Sequence, residues 1–226
     1  MRPRAAPDVT RPATRPLVGI LLAGALALTA CSGDSRGAAS ATTVAGADAP
    51  STLARTVTGA TDLRRLVVSH APIGYDLLAS PPFGAVTLQR LLDDFSDSPA
   101  DDKVILQSAR FRSGYTQGWL RAEPRAFLGI FVFEFAGETG ARSARDRFAA
   151  QNDAKKDAAR FDVPGIVDAV GRSYTQEVEG QPPERIHVIT FVRGARLYQV
   201  AGQSADLQAP VDETVAFAKI EDQIAA

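Results

Sequence analysis

Two histidines, one cysteine and a few carboxylates in apolar surroundings are most of what this chain offers for chemistry. His70 lies in "VVSHAP", a loop by its composition, and His187 lies inside the strand-like "ERIHVITFVRG". A zinc site needs three or four clustered ligands, yet no H-x-E-x-H spacing, cysteine pair or Asp-rich calcium loop occurs, so no metal is expected. A serine triad needs a G-x-S-x-G elbow between strand and helix, and "RSGY" and "GRSY" are not that. No Walker A or G-x-G-x-x-G loop cradles a phosphate, and no cofactor is implied. Glu134 is the one carboxylate within a long apolar run. If buried, it would titrate high and become an acid or base; at a strand end it reaches solvent or pairs with an arginine. Asp93 with Asp94, and Asp101 with Asp102, are sequence neighbours on helices and read as solvated faces, not a paired-carboxylate site. Tyr115, Trp119, Tyr174 and Tyr198 could line an apolar pocket near a sheet, or simply cover it. Trp119, flanked by polar residues in "TQGWLR", is expected to be partly exposed and able to anchor a ligand.

The single cysteine, Cys31, ends "LVGILLAGALALTA", fourteen uncharged residues that follow an Arg-bearing start. That run is the length of a signal-peptide core and shorter than the roughly 20 residues of a permanent span. Leu28, Thr29 and Ala30 before Cys31 resemble the lipobox of bacterial lipoproteins. The resemblance implies that Cys31 receives a thioether-linked diacylglycerol and becomes the new N-terminus, with residues 1–30 as signal peptide. Two long acyl chains, at roughly 0.8 kcal/mol per buried methylene, hold a protein on a membrane stably. A lone, consumed thiol leaves neither a disulfide nor thiol catalysis.

Residues 31–52 then form a flexible linker: "SGDSRGAASATTVAGADAPS" has Val44 as its only large apolar residue and cannot bury enough to order itself. Twenty such residues reach roughly 25 Å. The formal charge is −1, and the basic first 30 residues leave a mildly acidic remainder whose four lysines are scattered. Nucleic acid is therefore not an expected partner.

Residues 53–226 read as one domain, 45% of the whole chain being apolar and 23% charged. "VTLQRLLDDF" and "SPADDKVILQSA" carry helical signals, the second with Ser98 as N-cap and Pro99 in the first position. "AFLGIFVFEFAG" is the strongest strand, with Phe127, Phe131, Phe133 and Phe135 on one side and Leu128, Ile130 and Val132 on the other. A helix follows from Glu138, with Ala144 and Phe148 toward the sheet. "ERIHVITFVRG" and "ARLYQVAGQ" make a hairpin at Gly194, and a final helix buries Val211, Val215, Ala218 and Ile224. The expected architecture is α+β, a largely antiparallel sheet of about five to six strands flanked by helices. "RSGYTQGW" from Arg112 and "RSYTQ" from Arg172 echo each other before Pro-containing turns.

The lipobox, the tether and the layout "GYTQGW … FVFEFAGETGARSARDRF … FDVPGI … FVRGARLYQV" look like small cell-envelope lipoproteins common in actinobacteria, some similar to the PsbP-like fold. A strong anchor signal beside an absent catalytic set makes a non-enzymatic accessory or ligand-binding domain on the outer face of the cytoplasmic membrane the leading expectation. Its partners would be the membrane through the lipid, an envelope protein or a small apolar ligand. A cell-envelope hydrolase with a dispersed site is the alternative. A solute-binding lipoprotein of a transporter is a third option, for which the domain is small beside the usual two-lobed clamshell.

Overall fold

Of the ten residues Ala126–Phe135, nine are buried, so this strand must be covered on both sides. The computed structural model describes residues 63–79, 83–178 and 180–226, and among them it meets that requirement with a single eight-stranded antiparallel sheet between two helical layers. The strands are β1 (Asp76–Leu77), β2 (Gly84–Val86), β3 (Phe111–Arg121), β4 (Ala126–Phe135), β5 (Ala159–Phe161), β6 (Val170–Gln176), β7 (Glu184–Arg193) and β8 (Arg196–Ser204). The helices are α1 (Leu88–Phe95), α2 (Pro99–Ser108), α3 (Glu138–Asp153) and α4 (Asp212–Ala225). The spatial order is β1-β3-β4-β8-β7-β6-β5, with β2 also pairing β3.

The α+β class and antiparallel pairing agree with the sequence, while the strand number exceeds the five to six expected. The additional strands β1, β2 and β5 are two or three residues long, too short to show a period. Gly194, at φ +55°, opens the two-residue turn that lets Arg193 pair with Arg196 in the β7–β8 hairpin.

One sheet face packs Trp119, Ile130, Val132, Ile189, Phe191 and Tyr198 beneath α4 and a strap, Leu63–Val68, which contains a short 3₁₀ turn. The other packs Phe131, Phe133, Phe135 and Leu197 beneath α1, α2 and α3. On α4 the expected apolar stripe is modified: Val215 and Ala218 are buried, Ile224 is 38% exposed, and the acidic Glu221 lies in the core at 0% exposure. Its environment resolves the exchange, because Glu221 accepts the Val68 backbone N–H at 3.0 Å and so ties the strap to the helix.

The pair Asp101–Asp102 is likewise split. Asp101 is exposed, but Asp102 is 1% exposed, contrary to the solvated reading. Its carboxylate accepts from Arg147 Nε at 2.8 Å, Ser96 Oγ at 2.6 Å and Gln151 Nε2 at 2.9 Å, joining α2 to α3. Asp102→Asn keeps the shape and drops the charge, so urea unfolding should report a loss of about 2 kcal/mol. An unchanged midpoint would mean that the carboxylate contributes no more than its solvated neighbour.

Candidate functional site

At the end of the sheet where β3 turns into β4, the chain leaves a cavity of about 320 Å³. That is the lower end of the range for small-molecule sites. Four segments far apart in sequence enclose it: Tyr75, the 121–128 turn and strand start, His187 of β7, and the 202–214 run from β8 into α4. The first turn of α4 comes close because β8 has Gly202 beneath it; a Cβ there would lie 2.1 Å from Thr214 Oγ1. Ala126, Phe127 and Leu128 supply the apolar lining.

The charges at the cavity are arranged in advance. Arg121 makes a two-pronged contact with Glu213 at 2.9 and 3.4 Å, donates Nε–H to the Pro124 carbonyl at 3.2 Å, and lies 4.8 Å above the Tyr75 ring. Burial and the Glu213 charge hold the Tyr75 phenol above its usual range. His187 is 4% exposed, its Nε2 3.0 Å from the Ala209 carbonyl and its ring edge-on to Phe161 at 6.0 Å. Burial pushes the imidazole down, so it is neutral at physiological pH and Nε2 carries the proton given to Ala209. Among the described residues Nδ1 has no hydrogen-bond partner, and in particular no hydroxyl for the imidazole to activate.

The residues marked in the sequence are distributed differently. Cys31 lies outside the described residues. Trp119 is fully buried, not partly exposed: its polar neighbour Gln117 turns inward with it and donates to the Val68 carbonyl at 2.9 Å, so the strap roofs them both. Tyr198 is also fully buried, stacked on Phe191 at 5.1 Å, and burial pushes its phenol up to about 12. Tyr115 is half-buried on the same face, its hydroxyl 3.3 Å from Gln117 Oε1. Tyr174 is on the opposite face, so the four aromatic residues share no pocket.

The echoed motifs account for that inversion. They begin corresponding hairpins, β3–β4 and β6–β7, on either side of β8. Ser113 and Ser173 occupy the same face, but Gly114 is an extra residue in the first copy and sends the following tyrosine the other way.

His70 is exposed and shares a hydrogen bond with the adjacent Ser69 at 2.9 Å. Glu134 is half-buried and lies 3.6 Å from Arg196, the arginine-paired alternative. Among the described residues no group of three or more His, Cys, Asp or Glu is placed to hold a metal ion, and no helix is long and apolar enough to cross a membrane. The Tyr75–Arg121–Glu213 cluster was not marked in the sequence, since its members stand 46 and 92 positions apart and follow no local pattern.

Fold and cavity together define an α+β domain with one antiparallel sheet between helical layers and a ligand-sized hollow at one end. Among solved structures it is similar to the extracellular domain of PknH from Mycobacterium tuberculosis, at a TM-score of 0.46 and 11% identity, over 73% of this chain and 95% of that one. No family model matches the chain, and no curated protein does.

Proposed function

We propose that the protein is a lipid-anchored, extracytoplasmic lipoprotein whose domain binds a small, largely apolar ligand in the end cavity without transforming it. The observation that carries the binding role is the cavity itself, with an apolar lining beside an Arg121–Glu213 pair already locked in place. Preformed, mutually neutralised charges orient a ligand at little ordering cost. The anchor follows from the order of apolar run, small residues and Cys31. The hydrolase reading has one observation in its favour, the presence of His187 in the cavity wall.

In the cell, Cys31→Ser should abolish acylation and leave unprocessed precursor; normal processing and membrane retention would remove the anchor from the proposal. The intact protein should bind the fluorescent apolar anion 1-anilinonaphthalene-8-sulfonate saturably, and Ala205→Trp at the exposed rim should block it. Binding indifferent to Ala205→Trp would place the ligand elsewhere. Hydrolysis of p-nitrophenyl acetate that His187→Gln eliminates would establish the hydrolase instead.

A further inference from the structure

On the other side of the sheet, beneath α1 and α3, lies a second cavity of about 60 Å³. Phe131 and Phe133 of β4 and Phe148 of α3 give it an aromatic lining, and Gln199 of β8 and Tyr174 of β6 bring polar groups into it. Tyr174 is only 5% exposed, and its hydroxyl makes no hydrogen bond with any described residue. The hydroxyl is not sealed in the core but open to the cavity, where it can donate to a ligand atom. Gln199, half-buried, lines the same space.

We infer that this cavity binds a small neutral molecule of about five or six heavy atoms bearing a carbonyl oxygen, which accepts the Tyr174 hydroxyl proton in a hydrogen bond. Size follows from the volume, since one water-sized sphere occupies roughly 10–15 Å³. A neutral guest suits the rim, where Asp97 and Lys155 are already paired at 2.6 Å and leave no uncompensated charge between them. The direction of the hydrogen bond follows from the guest, since a carbonyl oxygen only accepts, and the Tyr174 phenol, held above its usual range by burial and by the Asp97 charge, keeps its proton to donate. The inference stands apart from the end cavity and the lipid anchor, sharing no residue with either.

Cyclopentanone has the required size and oxygen, and cyclopentane is its hydrocarbon control. Titrated into the intact, folded protein, both should shift the aromatic NMR signals of Phe131, Phe133, Phe148 and Tyr174 saturably. Tyr174→Phe, which keeps the ring, should weaken cyclopentanone about fivefold and leave cyclopentane unchanged. Three results would each overturn the inference: no saturable shifts in the folded protein, equal weakening of both molecules, or no weakening of either.

Discussion

Replacing Trp119 by alanine should remove about 3–5 kcal/mol of folding stability, lowering the melting temperature by roughly 10 °C in a domain of this size. The indole is fully buried and meets Phe217 of α4 edge-on at 5.2 Å, beneath the strap that carries Leu63 and Val67. Deleting it empties the contact between sheet, helix and strap at once, and the backbone of a central antiparallel pair cannot collapse into the space. Trp119→Phe should cost less than half as much, because the indole N–H has no partner to lose. A tryptophan serving as a surface anchor would behave in the opposite way, with stability unchanged and only binding reduced. Calorimetry of the two variants distinguishes the roles.

The second large effect is a pH dependence centred on Glu221. Burial pushes its carboxyl up to about 7, and the hydrogen bond from Val68 offsets only part of that. One oxygen accepts from Val68, while the other is buried without a partner. The folded chain therefore holds a proton that the unfolded chain, titrating near 4.5, has already released. Stability from this group is complete below about pH 4.5 and is lost as pH rises through about 7. Over that window the linkage amounts to about 3 kcal/mol. Glu221→Gln keeps the acceptor for Val68 and cannot ionise. The stability difference between variant and parent should shift by about 3 kcal/mol in the variant's favour from pH 4 to pH 8, measured by urea unfolding. His187, whose pKa is lowered, contributes stability that disappears as pH falls, the opposite sense, but it does so equally in both proteins and cancels from the difference. A difference independent of pH would show that the carboxyl is hydrated and titrates normally.

Much of the architecture could be read from the chain because its signals are local. The two-sided apolar run at Ala126–Phe135 announces a central strand, Gly194 announces a hairpin, and Ser98-Pro99 starts α2 where the helix begins. The site was less legible because its determinants are not local. The face of Tyr174 depends on parity: a single glycine added to one hairpin and absent from the other exchanges sheet faces. Trp119 looks exposed among polar neighbours until Gln117 is found bonded to a strap 49 residues earlier. Glu221 has the charge of a surface residue at a buried position, and only the backbone N–H of Val68, 153 residues away, explains it. The end cavity exists only once the turn at 121–128 and the start of α4 meet over Gly202.

The strap has a dynamic consequence as well. Leu63 and Val67 are buried in the core, and Val68 is fastened at both of its backbone groups, its N–H to Glu221 and its carbonyl to Gln117. Those are two bonds at one residue, whereas β3, β4, β8 and β7 are joined by ladders along their length. The strap should therefore be the part of the helix–sheet contact that opens first, with amide exchange at Val68 faster than along β4 and β8.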